Sequence, residues 1–213
     1  MLPDDEVALL LQSKTLTVSP CRRSFYRCVE QGKLYGLNQP QPFANPIPLY
    51  SRSSSQRGAR FTAKGGPDTL YMAEDITTAY MEVDRAYRRV EGLAPNSVPR
   101  VAPPVVMFSI TVELERVLDL TNLTVQAALQ TNITELTATW RLKQSRRQSV
   151  PTQSLGTLVH ASGHFQAIRY PSARDLRGCC LAVFPDRVVS PSLIEVYDPY
   201  NELIGQLPIP NVP

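Results

Sequence analysis

Proline restricts this chain more than any other residue. The 19 prolines are clustered. Pro40, Pro42, Pro46 and Pro48 fall in "NQPQPFANPIP", a second group interrupts "GLAPNSVPRVAPP", and a third closes the chain in "QLPIPNVP". Proline locks φ and has no amide proton, so none of these stretches can be a regular helix or a central strand. The first reads as an extended surface connection, with a flap beside a site as the alternative. The second separates a central helix from the strand-rich remainder, and the third is an extended tail. No shift in composition across these breaks suggests a second folded unit.

Between the breaks, β-branched and aromatic runs alternate with helical patterns. Strands are expected at "SFYRCVE", "DTLYMA", "PVVMFSITVEL", "HFQAIRY", "GCCLAVF" and "LIEVYD", and helices at 75–90, within 124–142 and at 152–162. Several strands in succession near the end favour an α+β fold with mostly antiparallel or mixed sheets and flanking helices. The strongest periodicity is in 75–90. Ile76, Ala79, Tyr80, Val83, Ala86, Tyr87 and Val90 mark an apolar stripe, Asp75 is the expected N-cap, Arg88 and Arg89 complement the helix dipole, and Gly92 is the stop. At about 100° per residue, Glu82 falls roughly 90° from the centre of that stripe, on its edge.

A 43% hydrophobic and 19% charged composition with net charge +3 describes a folded globular chain. Its basicity falls short of a dedicated nucleic-acid binder, and "RLKQSRRQ" reads as a solvated helix end or loop. No apolar run is long enough to span a membrane, and the acidic start "MLPDDEVALLLQSK" lacks the basic front of an export signal. Cys21, Cys28, Cys179 and Cys180 form no C-x-x-C pair, which points to free thiols in a reducing, cytoplasmic setting. The sequons "NLT" and "NIT" therefore carry no meaning as glycan acceptors, and their echo is too short for a repeat.

Motifs for several chemistries are missing. His160 and His164 in "HASGH" have i, i+4 spacing, but Gly163 lies between them and no H-E-x-x-H pattern occurs, so no metal site is expected. There is no G-x-S-x-G elbow and no phosphate-binding loop of the G-x-x-x-x-G-K-[ST] type. What remains is "GARFTAKGGPDTLYMAEDITTAYMEVDRAY", in which Arg60, Tyr71 and Glu82 stand at two equal steps of eleven residues. Taken singly, they also read as a surface charge, a strand aromatic and a helix flank.

That stretch resembles the RES-domain family. The resemblance rests on Arg60-Phe61 with Gly65-Gly66, then Leu70-Tyr71, then Ala79-Tyr80-Met81-Glu82. It continues in "VLDLTN" at 117–122 and in "RYPSARDLRGCCLAVFPDRV", with Pro171-Ser172-Ala173 and Phe184-Pro185. It implies a single domain over 25–200, flanked by an N-terminal extension (1–24) and a Pro-rich tail (201–213). It further implies an ADP-ribosyltransferase-like fold and cleavage of the nicotinamide–ribose bond of NAD+, a substrate, with no resident cofactor or metal. Transfer of ADP-ribose to a protein and a catalytically inactive binding module are the alternatives. A helix-turn-helix antitoxin and a homo-oligomer are the partners implied, with no direct nucleic-acid or membrane binding.

The chemistry suits these residues. Breaking an N-glycosidic bond builds positive charge on the ribose, which a carboxylate, Glu82, can stabilise. The planar fork of Arg60 suits a pyrophosphate. Tyr71 offers a flat partner for a nicotinamide ring. Arg27 is a second candidate for the dinucleotide or a surface charge. Ser172 is either a hydroxyl that orients ribose or phosphate, or a turn hydroxyl bonded to its own backbone.

Overall fold

Two long β-branched and aromatic runs, β1 (Val18–Glu30) and β3 (Val105–Asp119), pair antiparallel along nearly their whole length, from Val18 opposite Leu118 to Glu30 opposite Val105. The structure is a computed structural model and describes residues 1–13, 15–37, 42–88 and 103–209. β1 also pairs with β2 (Leu70–Ala73), β2 with β5 (Cys179–Val183), β5 with β4 (Ala167–Pro171), and β4 runs parallel to the end of β3. These pairings close a ring of five strands. β6 (Leu193–Tyr197) and β7 (Gln206–Leu207) continue the sheet from the free part of the β3 edge. The fold is the expected α+β one, with a mixed sheet. "QLPIPNVP", expected as an extended tail, contributes β7.

Side chains alternate across a strand, so each strand feeds two cores. Leu70, Met72, Leu181, Val183 and Ala167 join Phe25, Ile110 and Val112 inside the ring. Ala73, Cys180, Ala182, Ile168 and Tyr170 face outward, where helices cover them. Helices that cover them include α1 (Asp4–Gln12), α5 (Leu123–Ala128), α6 (Ile133–Thr137) and α8 (Pro151–Ala161). Residues 1–24, expected as an extension, hold α1 and the start of β1. Val7 and Leu11 are buried in the outer core, and the Met1 ammonium sits 3.0 Å from Glu135.

Pro20 cannot donate to the ladder, and there the register moves from Ser19–Val117 to Cys21–Leu114. The bulge frees the amides of Glu115 and Arg116. Both donate to Oε1 of Gln166, a side chain only 1% exposed, at 3.1 Å each. A buried amide thus accounts for donors that the ladder loses.

The single helix expected within 124–142 is instead three short ones: α5, α6 and α7 (Trp140–Ser145). The reason lies in the "TNLT" and "TNIT" segments. Asn122 caps α5 by accepting from Thr124 N (2.8 Å), and Asn132 caps α6 by accepting from Glu135 N (3.0 Å). Between them Gln130 adopts φ 48°, which ends α5's turn. α2 (Gln31–Leu34) and α3 (Ser53–Arg57), absent from the sequence reading, flank the 42–50 loop. The start of the proline-rich stretch and the whole of "GLAPNSVPRVA" lie outside the described residues.

Gly156 on α8 lets that helix lie against the chain at Phe61. A Cβ there would come within 1.9 Å of the Phe61 carbonyl oxygen. Backbone cannot yield as a flexible side-chain end can. Gly156→Ala is expected to lower stability by about 3 kcal/mol despite the better helix propensity of alanine, measured by denaturant unfolding.

Candidate active site

Phe61 is fully buried, its ring edge-on to Tyr170 at 4.7 Å. Burying such a ring contributes roughly 1.5–3 kcal/mol and anchors the turn in which Ala59 bridges to Thr62. With Phe61 held inward, Arg60 points the other way. Its Nη1 donates to the carbonyls of Leu136 (2.7 Å) and Ala138 (3.0 Å) at the end of α6. Helix ends leave carbonyls that a guanidinium can satisfy, and here the Ala138 carbonyl also accepts from Trp140 N at 2.9 Å. Among the described residues no carboxylate pairs with Arg60.

Tyr71, on β2, holds the same turn. Its hydroxyl oxygen accepts from Phe61 N (3.0 Å) and lies 2.9 Å from Thr62 Oγ1. Thr62 spends its proton on Thr69, and Thr69 spends its own on the Pro67 carbonyl. The Tyr71 proton therefore goes to Thr62, and the relay is complete. Burial pushes the Tyr71 phenol up to about 12, against the opposing pull of the Thr62 and Phe61 hydrogen bonds and of Arg60. The two motif residues eleven apart are thus coupled through one hydroxyl.

Glu82 lies on α4 (Ile76–Arg88). Asp75 caps this helix, accepting from Thr78 N at 2.8 Å. The predicted stripe is rotated. Ile76 (55% exposed) and Tyr80 (51%) face out, while Thr78 and Ala79 are buried and Val83 is half-buried. At about 100° per residue the arc facing the sheet runs Thr78, Glu82, Ala79, Val83; Glu82 lies within that arc but is itself exposed, on the wall of a cavity. A threonine can occupy a buried position when its hydroxyl is satisfied. Thr78 Oγ1 lies 2.6 Å from Asp75 Oδ2 and 2.8 Å from Asp175 Oδ2. Gly178 makes room for it, since a Cβ there would meet Thr78 Oγ1 at 2.1 Å. Apolar periodicity cannot register such a residue. The side chains of Ala86 and Tyr87, together with Arg89, Val90 and Gly92, lie outside the described residues.

Ser172 follows β4 and is 3% exposed. Its Oγ accepts from Arg174 N (3.0 Å) and Asp175 N (3.1 Å). A hydroxyl has two acceptor sites and one proton, so that proton is directed to Glu82 Oε1, 2.6 Å away. Ser172 is therefore both a turn hydroxyl bonded to its local backbone and the partner of the candidate carboxylate. It sits behind Glu82, off the cavity wall. Cys180 Sγ lies 3.9 Å from the same carboxylate oxygen. Burial first, then the Glu82 charge, hold the Cys180 thiol well above its usual range.

Glu82, Arg60, Tyr71 and Arg27 all line one cavity of about 590 Å³ between the outer face of the sheet and α3, α4 and α7. That is a ligand-sized space. Six cations border it (Arg27, Lys33, Arg57, Arg60, Arg141, Arg174) against the carboxylates of Glu30 and Glu82. Arg27, on β1, donates to the carbonyls of Pro48 (2.6 Å) and Tyr50 (2.8 Å), and burial lowers its guanidinium to about 10. It thereby straps the proline-rich loop to the cavity. Trp140, stacked with Arg141 at 4.9 Å, and Gln144 also line the space. Arg141 and Gln144 come from "RLKQSRRQ", expected as a solvated helix end or loop, with Trp140 just before it, and no local spacing ties that stretch to Arg60.

The two histidines stay apart from this cavity. His160 Nε2 is 2.8 Å from Asp186 Oδ2, and His164 packs on Phe165. Asp119 in "VLDLTN" has a structural part. It accepts from Thr121 N and Oγ1 and, at 3.0 Å, from Arg169, which also forks onto Glu74.

A family model described as the RES domain matches residues 25–203. The chain belongs to the RES-domain family. A search of curated proteins by sequence finds no match. Among solved structures, a chain of the M. tuberculosis MbcT-MbcA toxin-antitoxin complex is similar to this RES-domain protein with a TM-score of 0.59. The match covers 92% of each chain at 16% identity. That likeness shows the fold.

The raised Tyr71 phenol has a consequence for alkaline stability. Its folded value lies above the ordinary value of about 10, so its share of stability is intact below pH ~10 and is lost as pH rises through ~12. Unfolding monitored across that range is expected to lose about 2 kcal/mol less in Tyr71→Phe than in the wild type.

Proposed function

We propose that this RES-domain protein cleaves the nicotinamide–ribose bond of NAD+. The observation that carries the reading is Glu82, a carboxylate in a cation-lined cavity, oriented by the single proton of a buried serine. NAD+ presents an anionic pyrophosphate and, in the transition state, a ribose that turns cationic. The cavity offers a matching arrangement: Arg60 and Arg27 for the pyrophosphate, Tyr71 for the nicotinamide ring, and Glu82 for the developing charge.

In this mechanism the C1′–N bond of the nicotinamide riboside breaks, and the bonding pair leaves with neutral nicotinamide. Positive charge spreads over C1′ and the ring oxygen, and Glu82 stabilises it. Water adds to C1′ and releases a proton, giving ADP-ribose. Ser172 acts through Glu82 as a positioning residue, because its amide-fixed hydroxyl limits where the carboxylate can turn. Arg60, bonded on Nη1 alone among the described residues, keeps Nε and Nη2 for phosphate oxygens.

The fold shared with a chain of a toxin–antitoxin complex supports a further part of the reading: a toxin held in check by an antitoxin. NAD+ is a cytoplasmic metabolite, and among the described residues no helix is long and apolar enough to cross a membrane. A cytoplasmic toxin that depletes NAD+ fits both.

Glu82→Gln keeps the shape and can still accept from Ser172 while losing the charge. Nicotinamide release is expected to fall about 100- to 1,000-fold, with the melting temperature and the affinity for a non-cleavable NAD+ analogue near wild type. Release at the wild-type rate removes Glu82 from the chemistry. Arg60→Lys is expected to weaken binding of the same analogue about tenfold by calorimetry, because a point charge does not reproduce the planar fork. Recovery of ADP-ribose on protein rather than free in solution would turn the assignment from hydrolysis to transfer.

A further inference from the structure

The main cavity does not end at the cations that a pyrophosphate needs. At the end remote from α4, a side pocket of about 60 Å³ adjoins it, and the two share Arg27, Val29, Lys33, Ser53 and Arg57 as wall residues. The side pocket is bordered by three cations, Arg27, Lys33 and Arg57, and by no carboxylate, with Ser53, Gln56 and Tyr50 as neutral polar neighbours. Room for a few water-sized groups, cationic on several sides, suits one compact anion rather than a ring.

The three cations differ in what already holds them. Arg27 is committed to the carbonyls of Pro48 and Tyr50, which neutralise no charge. Lys33 pairs with Glu30 at 2.6 Å. Arg57 is exposed on the last turn of α3, and its guanidinium meets no carboxylate among the described residues. Gly58 immediately after it, at φ 81°, turns the chain toward Arg60. Arg57 and Arg60 therefore flank one turn, and both border the cavity. With Arg60 and Arg27 assigned to a pyrophosphate, the positive charge at the far end of the cavity is left for a further anion.

We propose that this side pocket binds a phosphate monoester carried by the adenosine end of the substrate, so that the site accepts the 2′-phosphorylated dinucleotide NADP+ in preference to NAD+. The inference rests on the NAD+-cleaving reading of the same cavity and specifies its substrate. The reaction is unchanged. Water adds to C1′, the C1′–N bond breaks with its electron pair on nicotinamide, and one proton is released. The other product is ADP-ribose bearing the 2′-phosphate. Nothing in this step touches that phosphate, which contributes binding and orientation alone. A phosphate monoester is nearly a dianion at neutral pH, and an arginine fork forms charge-assisted hydrogen bonds to it that a ribose hydroxyl cannot replace.

The test has a binding arm and a turnover arm, both on the whole protein. Calorimetry compares adenosine 2′,5′-bisphosphate with adenosine 5′-monophosphate in the wild type and in Arg57→Ala, a change at an exposed side chain. The bisphosphate is expected to bind about tenfold more tightly, and Arg57→Ala is expected to remove most of that ratio. Equal affinities overturn the proposal. If inorganic phosphate enhances monophosphate binding while the 2′-phosphate adds nothing, the pocket belongs to free phosphate, and the NADP+ assignment is overturned. In the turnover arm, nicotinamide release from NADP+ and NAD+ is compared as kcat/KM. A ratio of about ten in favour of NADP+ that collapses in Arg57→Ala supports the proposal, and a ratio of one or below sinks it. If neither dinucleotide is cleaved, the functional reading fails on its own, while the binding arm still decides the pocket.

Discussion

The antiparallel ladder between β1 and β3 is the constraint on which the rest of the molecule depends. It is the longest pairing in the sheet and joins the two halves of the chain across the proline-rich breaks. Because β1 also pairs with β2 while β3 also pairs with β4, the ladder closes the ring and brings Tyr26 opposite Ala73, and Ala73 opposite Cys180. The outer face of those strands is the floor of the cavity. Closure also removes most free edges, leaving the short β7 at the end of the sheet. The one place where the ladder fails, at Pro20, is compensated by the buried amide of Gln166.

On that floor the site is assembled from two separately held pieces. One is the Arg60 turn, fixed by buried Phe61, by the Tyr71 hydroxyl and by the α6 carbonyls. The other is α4, clamped to the 172–178 turn at two points one helical turn apart: Thr78 to Asp175 and Glu82 to Ser172. Each polar contact in these pieces has a partner, and cooperative, satisfied networks hold geometry better than isolated bonds. Arg27 and Arg60, by contrast, rest on carbonyls, which neutralise no charge. A cavity that keeps arginines beside carbonyls rather than carboxylates is arranged for an anion from outside the protein.

The steps of eleven residues between Arg60, Tyr71 and Glu82 have a physical meaning that spacing alone does not carry. Arg60 closes one turn, Tyr71 sits mid-strand on the outward face, and Glu82 is seven residues past the helix cap Asp75. The strand and helix between them are short enough that all three return to one wall. The asparagines of "TNLT" and "TNIT", weighed in the sequence only as glycan sequons, are N-caps, and they split the helix expected within 124–142. Trp140, Gln144, Lys33 and Arg57 were not legible as site residues, since each is unremarkable in its own segment and meets the others only across the cavity.

By itself, the sequence determined what local chemistry dictates. Strands arise where β-branched residues alternate, helices begin at Asp75, Asn122 and Asn132, prolines forbid regular structure, and the RES motif residues occur in their order. Only the tertiary structure decided how α4 is rotated. That depends on Thr78 meeting, beside the local Asp75, the carboxylate of Asp175, a residue 97 positions away, and on Gly178 leaving room for it. Only the tertiary structure decided that the proton of Ser172 goes to Glu82, because this follows from two backbone amides filling its acceptor sites. The physical reason is the same in both cases. Propensity and periodicity are short-range, whereas the satisfaction of a buried polar group depends on whatever the closed ring of strands brings beside it.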